Sequence, residues 1–390
     1  MGLSRSTARG AVPATPEGAA HAGAAGIGRD RGPPDRYLPT ADTGRLAPHR
    51  PHVGEALPAR LRPALPVPRR RPRQVLRRVT AVFSVVEPGL LTTVQDLGRP
   101  GAIASGVPPA GAMDRFAHAA ANLLAGNDRN QATLECTLSG PQLVALRSCL
   151  VAVTGADLGA QVNGRAAPMW SGIFLAAGDR LSFAGRRSGM RTYVAVSGGL
   201  DGERWLGSRS TYLLVGRGGM QGRALKAGDE LHLAADRSAP MIAGRQLAAA
   251  MVPDYSDHTL AVMAGPHLKR LDVTSRKALF ADTFKVSAQA DRMGYRLDGP
   301  PLALSGDELL SFGLAAGSIQ VVNSGQAIIL MADHQTAGGY AVVATVVSAS
   351  LPNAAQLGPG DELQLRAVTE AQAGTMRREL SAALASLASP

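Results

Sequence analysis

The chain has 390 residues, with 41 basic and 30 acidic side chains and a formal net charge of +11 at pH 7. A basic protein can be a nucleic-acid binder, but residues 1–80 hold fifteen arginines, no lysine and five acids, a balance of +10. The net charge of residues 81–390 is therefore only about +1. A body of this charge has no basic surface that would attract a polyanion, so we expect no nucleic-acid partner.

Residues 1–80 are predicted to be a disordered Arg/Pro-rich extension. They contain 12 of the 26 prolines and no apolar period, so they cannot bury enough surface to offset the entropy of ordering. A targeting peptide, a polyanion-binding arm and an upstream start codon placed too early are the three explanations. No apolar stretch follows a charged start, as a secretory signal requires, and the prolines would break the helix of a transit peptide. We favour a segment without a role of its own.

The body that follows is long enough for two cores and is mainly β. Its short β-branched runs are broken by Gly, Pro and Asp at intervals typical of sandwiches and barrels. The clearest predicted strands are VFSVV (82–86), LVAVTG (150–155), TYVAV (192–196), TLAVM (259–263), AIILMA (327–332) and AVVATVV (341–347). A helical period appears only in AMDRFAHAAANLLAGN (112–127), SRKALF (275–280) and the C-terminal stretch 369–387.

A short turn motif recurs four times along the body. GDRL or GDEL occupies residues 178–181, 228–231, 306–309 and 360–363. Each Gly-Asp pair predicts a turn, and each Leu predicts the start of an inward-facing strand. The copies lie 50 and 54 residues apart within each pair, which indicates an internal duplication. We therefore predict two related β-domains, 81–250 and 251–390, the second with a C-terminal helix.

Several common classes of protein are excluded by missing motifs. The body lacks a P-loop, a GxSxG elbow and an HExxH motif, and its five histidines are scattered, so we expect no metal site. The two cysteines, Cys136 and Cys149, lack CxxC spacing and are predicted to be free thiols in a reducing cytoplasm. The apolar run YAVVATVV near the C-terminus is too short to span a membrane, so no membrane association is expected.

Three stretches are more polar than a barrel requires, and the first covers residues 89–114. A Gly/Pro-rich loop there could present backbone N–H groups and Arg99 to an anionic or carbonyl group. The alternative is a simple turn, followed by Asp114 as the cap of the next helix.

The second polar stretch is DRMGYRLDGPPL, residues 291–302. A strand would send Arg292 and Arg296 to one face, and the planar guanidinium suits a carboxylate or phosphate. The alternative is an Asp–Arg pair that closes a turn within the chain.

The third polar stretch is ILMADHQTAGGY, residues 329–340. Asp333 and His334 could act as a general acid/base pair if the chain turns there, because neighbouring residues of a regular strand face opposite sides. Gly338 and Gly339 favour such a turn and allow a ligand to approach the backbone. The alternative is a histidine with a structural role.

These stretches together resemble a known family. EPGLLTTVQDLGRPG, GVPPAGAMD, DRMGYRL and MADHQTAGGY, with LECTLSGPQL and LGSRST, are similar to the biotin-dependent carboxyltransferase/KipA family over residues 83–366. The resemblance implies a fold of two related cyclophilin-like β-barrel domains with a few helices. We predict that Asp333 and His334 are catalytic. The predicted substrate-binding residues are Arg99, Asp114, Arg292, Tyr295, Gln335 and Thr336.

The family implies a component of an enzyme that acts on an amide or lactam. The leading expectation is the C subunit of an ATP-dependent 5-oxoprolinase, which opens the 5-oxoproline lactam to L-glutamate with a KipI-like B subunit and a LamB/YcsF-type A subunit. Because no Walker motif is present, we expect a composite ATP site shared with the KipI-like partner. One alternative is a carboxyltransferase component that moves a carboxyl group from carboxybiotin to urea or another amide. Another is a non-enzymatic KipA-like module that binds a KipI-like kinase inhibitor.

Overall fold

The computed structural model describes residues 80–235 and 244–387. The predicted disordered extension, apart from Thr80, lies outside the described residues. Twenty strands and four α-helices occur in the described ranges, so the prediction of a mainly β fold with a few helices is confirmed. In the same ranges, no helix is long and apolar enough to cross a membrane.

The strands between residues 81 and 232, which we call the first half, form two antiparallel sheets. They are β1 (Ala81–Glu87), β2 (Leu91–Gln95), β3 (Thr133–Thr137), β4 (Gln142–Ala145), β5 (Cys149–Asp157), β6 (Ala160–Val162), β7 (Arg165–Ala166), β8 (Ser171–Leu175), β9 (Arg180–Phe183), β10 (Ser188–Val196) and β11 (Glu230–His232). One sheet has the order β11-β1-β4-β9-β6-β7 and the other the order β2-β3-β10-β5-β8.

The strands between residues 259 and 367, which we call the second half, form a closed barrel. The strands are β12 (Thr259–Ala264), β13 (Phe284–Ala290), β14 (Gly294–Asp298), β15 (Phe312–Gly313), β16 (Ser318–Val321), β17 (Ala327–Leu330), β18 (Ala337–Gly338), β19 (Ala341–Val346) and β20 (Glu362–Ala367). The barrel order is β12-β19-β16-β17-β14-β13-β20, and β15 pairs with β18 outside it. Strands β12 and β20 close the barrel in parallel.

The four α-helices are α1 (Arg115–Leu124), α2 (Val273–Ala281), α3 (Leu351–Gln356) and α4 (Glu370–Ser386). Helices α1, α2 and α4 were predicted from their period, whereas α3 is too short to show one. Four short 3-10 turns complete the described structure: Pro100–Ser105, Leu213–Val215, Ala249–Met251 and Leu268–Arg270.

Side chains alternate between the two faces of the five-stranded sheet. One face packs against the six-stranded sheet and the other against α1, so the first half has three layers. On β10, Val194 and Val196 pack into the core shared with the six-stranded sheet, while Tyr193 and Ala195 face the opposite way, towards α1. The barrel has its own core, to which Met113 of the first half contributes. Tyr193 therefore lies on the side of the sheet where α1 begins.

Three of the four predicted turn motifs start a strand, and one does not. Leu181, Leu231 and Leu363 are buried at the start of β9, β11 and β20, as expected. Leu309 of the GDEL copy at 306–309 lies in no strand, and the next strand, β15, begins only at Phe312, so that prediction is wrong. Each of the other three aspartates accepts a hydrogen bond from the amide three residues earlier, and this bond is not found in the 306–309 copy. The duplication itself stays a prediction.

Candidate functional site

The barrel brings the second and third polar stretches together. Strands β14 and β17 are neighbours, with Gly294 opposite Leu330, so the chain before β14 lies beside the chain after β17. The amide of Asp333 donates to the carbonyl of Arg292 at 2.8 Å. Their side chains form a two-point ion pair, Nε to Oδ2 at 2.9 Å and Nη2 to Oδ1 at 3.1 Å. Arg292 and Asp333 are therefore one buried unit.

A glutamate that was not among the predicted site residues completes this unit. Glu135 on β3 accepts a hydrogen bond from Nη1 of Arg292, and it is 1 % exposed. Its other oxygen accepts from the Met113 amide at 2.8 Å and from the Tyr193 hydroxyl at 2.7 Å. The sequence signal that could have identified it is an acidic residue in the middle of the short run TLECT, within the motif LECTLSGPQL.

The charged side chains of this unit stabilise one another in their ionised forms. Burial alone would lower the pKa of Arg292, but Asp333 and Glu135 beside it raise that pKa above its ordinary value. Burial alone would raise the pKa of Glu135, but Arg292 and Arg191 lower it. Arg292 also donates to the carbonyl of Gly111 at 2.6 Å, so four hydrogen bonds to protein groups occupy its guanidinium. Little donor capacity is left for a substrate.

Asp114 lies inside the protein, with both carboxylate oxygens in use. Oδ1 accepts from the Ala117 amide at 2.9 Å and so caps α1. Oδ2 accepts from the Tyr255 hydroxyl at 2.6 Å and from Gln356 Nε2 at 2.9 Å. Burial raises the pKa of Asp114 above its ordinary range. The carboxylate holds α1 and α3 together, and its partners Tyr255 and Gln356 were not predicted from the sequence.

Tyr295 also points inward, into the core of the barrel. Its hydroxyl accepts a hydrogen bond from Nη1 of Arg191 at 2.6 Å, and the same nitrogen donates to the carbonyl of Ala355 at 2.6 Å. The Arg191 guanidinium carbon lies 5.8 Å from the centre of the Tyr295 ring. This contact joins β10 of the first half to the barrel.

His334 has the geometry of a neutral base. Its Nδ1 lies 2.7 Å from the carbonyl oxygen of Gln335, and because a carbonyl only accepts, Nδ1 carries the proton and Nε2 the lone pair. Burial lowers the pKa of His334 below its ordinary value of 6.5. None of the residues that the structure describes forms a hydrogen bond with Nε2. The ring is therefore neutral at pH 7, with one basic nitrogen available.

The predicted turn lies just before His334, at Ala332 and Asp333, where the His334 amide donates to the Met331 carbonyl at 3.2 Å, and Gly338 instead lies in β18. Gln335 Nε2 donates to Gln320 Oε1 at 3.1 Å, and the carbonyl of Thr336 accepts from the Leu314 amide at 2.9 Å. These bonds hold the segment after His334 beside β16 and leave Oε1 of Gln335 without a donor among the described residues.

His334 lines a cleft of about 530 Å³, which we call the His334 cleft. Its walls are mostly apolar and come from the start of α1, from the barrel and from α4: Met113, Phe116, Leu314, Met331, Leu380 and Leu384. Within the described parts of the chain, its charged wall residues are Arg115 and Arg377, and no carboxylate lines it. The volume lies in the range of small-molecule sites, about 300–1,000 Å³. A larger cleft of about 760 Å³ beside residues 301–309 contains none of the predicted site residues.

Arg99 is buried and only partly satisfied. It is 2 % exposed, its Nη2 donates to the carbonyl of Ser210, and its guanidinium carbon lies 5.0 Å from the centre of the Trp205 ring. Its Nε and Nη1 are buried with no hydrogen-bond partner among residues 80–235 and 244–387. Burial lowers the pKa of Arg99 below its ordinary value. Buried donors in folded proteins are nearly always paired. The two unpaired nitrogens of Arg99 therefore indicate that it can donate to an acceptor of a ligand.

Asp96 fixes the loop that holds Arg99. Its carboxylate accepts hydrogen bonds from the Gly98 amide at 2.7 Å, from the Ser208 hydroxyl at 2.6 Å and from the Ser210 hydroxyl at 2.7 Å. The motif QDLGRPG is thereby tied to the motif LGSRST, more than a hundred residues further along the chain.

Comparison with known proteins places this chain among carboxyltransferase domains. The family model "Carboxyltransferase domain, subdomain A and B" matches residues 105–367. The 5-oxoprolinase C subunit of Escherichia coli (strain K12) is 38% identical over 287 residues, which cover 72% of this chain and 90% of that protein. The 5-oxoprolinase C subunit of Haemophilus influenzae is 34% identical and covers 74% of this chain and 91% of that protein.

A solved structure shows the same fold in a longer protein. The crystal structure of the K. lactis urea amidolyase matches with a TM-score of 0.74 and 29% identity. The match covers 79% of this chain but only 20% of the urea amidolyase chain.

Proposed function

The chain belongs to the family of the carboxyltransferase domain, subdomain A and B, and on this premise we propose that it is the C subunit of a 5-oxoprolinase. The observation that carries the proposal is the 38% identity to the E. coli protein, in a match that covers 90% of that protein and 72% of this chain. The urea amidolyase similarity spans only a fifth of a longer chain and supports the carboxyltransferase alternative less well.

His334 is the residue to which we assign the proton transfer. In lactam opening, water adds to the ring carbonyl and the C–N bond breaks. Nε2 of a neutral His334 accepts a proton from that water and returns it to the leaving nitrogen, which becomes the amine of glutamate. Asp333 is bound at two points by Arg292, so its role here is to hold the turn in place. It is a positioning residue.

Arg99 and Gln335 are assigned to the amide group of the substrate. As the carbonyl is attacked, negative charge grows on its oxygen, and a hydrogen-bond donor in a water-poor site stabilises that charge. Arg99 has unpaired donors, and Arg292 has almost none. Gln335 Oε1 can accept from the lactam N–H. Arg99 and Gln335 do not line the His334 cleft, and Nε and Nη1 of Arg99 are covered in this structure, so the loop of Asp96 or the Trp205 ring must shift when a ligand binds.

The proposed enzyme also requires ATP and two partner proteins. A five-membered lactam re-forms readily from an amine and a carboxyl group of the same molecule, so ring opening needs a driving force, which coupling to ATP hydrolysis would supply. Since no Walker motif is present in the sequence, we propose a composite ATP site with a KipI-like B subunit, and a LamB/YcsF-type A subunit as the third component. We expect the complex to act in the cytoplasm.

The test is reconstitution. The full chain is co-purified with its KipI-like and LamB/YcsF-type partners, and glutamate release from 5-oxoproline is measured with and without ATP. We expect ATP-dependent release by the complex and none by the lone chain. Release by the lone chain would overturn the composite site. A complex that carboxylates urea from carboxybiotin, and releases no glutamate, would establish the alternative.

A further inference from the structure

Helix α4 forms a wall of the His334 cleft that the family match does not include. The match ends at residue 367, and α4 begins at Glu370. Thr369 caps the helix with a complete capping box. Leu380, Ala383, Leu384 and Leu387 pack against the core that contains α1. Their spacing of three and four residues gives α4 one apolar stripe, which seats the helix at the cleft.

Arg377 lies one helical turn before this stripe and lines the cleft. Its side chain is exposed at the rim, and its guanidinium makes no hydrogen bond or ion pair with any described residue. Arg115, the other arginine of the cleft, already donates to the carbonyl of Leu97. Of the two arginines that line the cleft, Arg377 is therefore the one whose guanidinium has no hydrogen-bond partner among the described residues.

The surroundings of Arg377 favour an anion of a particular kind. No carboxylate from the described residues lines the cleft, and the apolar walls reduce the screening of a charge that enters it. A planar guanidinium binds a planar carboxylate through two parallel hydrogen bonds. A ligand held by its carboxylate at Arg377 would rest its hydrocarbon part on Phe116 and Met113, in the same cleft as His334.

We propose that Arg377 is a specificity-determining residue, which selects lactams that carry a carboxylate. This inference rests on the proposed function, since it names how the same site recognises its substrate. Helix α4 thus adds the selecting charge from outside the matched family domain, while residues within that domain carry out the chemistry.

The experiment compares two substrates in the reconstituted complex. They are 5-oxoproline and 2-pyrrolidinone, which is the same lactam without the carboxylate. The chain is tested unchanged and as Arg377→Ala, Arg377→Lys and Arg378→Ala. Arg378 is the matched control, because it is the next arginine on the same helix and donates to Thr375 at 2.9 Å on the helix surface.

We expect Arg377→Ala to raise KM for 5-oxoproline about fivefold or more, with kcat nearly unchanged, because binding and not chemistry is lost. The preference for 5-oxoproline over 2-pyrrolidinone should fall by the same factor, Arg377→Lys should recover part of it, and Arg378→Ala should match the unchanged chain. An unchanged preference in Arg377→Ala would overturn the inference. A wild-type complex that releases no glutamate would instead overturn the proposed function, and with it this inference.

Discussion

Arg292 and Asp333 form a two-point ion pair inside the protein, with Nε 2.9 Å from Oδ2 and Nη2 3.1 Å from Oδ1. Both side chains are nearly inaccessible, and Glu135 binds the third nitrogen of the same guanidinium. Since Glu135 lies on β3 and the ion pair on the barrel, one arginine joins the two halves. His334 follows Asp333 directly, so its position depends on this contact.

The first prediction concerns Arg292→Ala. Removal of the guanidinium leaves the buried carboxylates of Asp333 and Glu135 without the arginine that binds both of them, which should cost about 3–5 kcal/mol of the free energy of unfolding. Arg292→Lys should be nearly as damaging, because an ammonium cannot bind two carboxylates and the Gly111 carbonyl in the same geometry. Urea denaturation of the full chain measures both.

The control for this prediction is Arg296→Ala. Arg296 is only partly buried and donates to Gln326 Oε1 at 3.2 Å. Its loss should change the free energy of unfolding by no more than about 0.5–1 kcal/mol. If Arg292→Lys is as stable as the unchanged chain, the ion pair does not hold the halves together.

A second prediction follows from the lowered pKa of Glu135. The folded protein binds this proton less readily than the unfolded chain, so the stabilisation is complete above the ordinary pKa of 4.5 and is lost as the pH falls through the lowered value. We expect the urea midpoint to fall as the pH drops below about 4.5. Glu135→Gln should be less stable at pH 7 and should show a shallower acid decline. An equally steep decline in Glu135→Gln would assign the effect to other carboxylates.

Local patterns predicted the strands and helices, but they could not predict the long-range partners. The alternative considered for DRMGYRL was an Asp–Arg pair closing a turn. Asp291 indeed closes a turn, by accepting from the Met293 amide at 2.7 Å, but Arg292 reaches Asp333 and Glu135 instead. Glu135 is 157 residues away from Arg292 in the chain, and only the arrangement of the two halves brings them together.

Residue type alone also could not distinguish side chains that are fully paired within the protein from side chains that are free to bind a ligand. Arg99 and Arg292 both lie in polar, glycine-containing motifs, yet one has unpaired donors and the other has almost none. Asp114 met the description of a helix cap, and its burial against Gln356 could not be anticipated because α3 is too short to show a helical period. Burial and pairing are tertiary properties, and sequence spacing does not contain them.

A third prediction concerns Arg99→Met. The change removes two buried nitrogens that lack a partner among the described residues, but also the hydrogen bond from Nη2 to the Ser210 carbonyl, so the free energy of unfolding should fall by no more than about 1–3 kcal/mol. Activity of the complex should fall by about 10²–10³-fold, as for a lost oxyanion donor. Urea denaturation and glutamate release on the same preparation measure the two effects.

Arg217→Met is the matched control for Arg99→Met. The guanidinium of Arg217 also lies near the Trp205 ring, at 5.9 Å, but it is exposed and pairs with Glu203. Its loss should leave activity unchanged. Equal losses of activity in both variants would point to a general disturbance of the Trp205 loop, and full activity in Arg99→Met would remove Arg99 from the site.

The last prediction concerns His334 and pH. His334→Ala should fold normally and lose activity by about 10²-fold or more, which is typical of a lost acid/base group. Because burial lowers the pKa of His334 below 6.5, the neutral form prevails at pH 7, and kcat/KM should fall on the acid side only as the pH drops below 6.5 through the lowered value. His267→Ala removes a histidine whose ring accepts from the Val342 amide, outside the cleft, and should keep this profile. An active His334→Ala complex with the same acid limb would show that another group carries the proton.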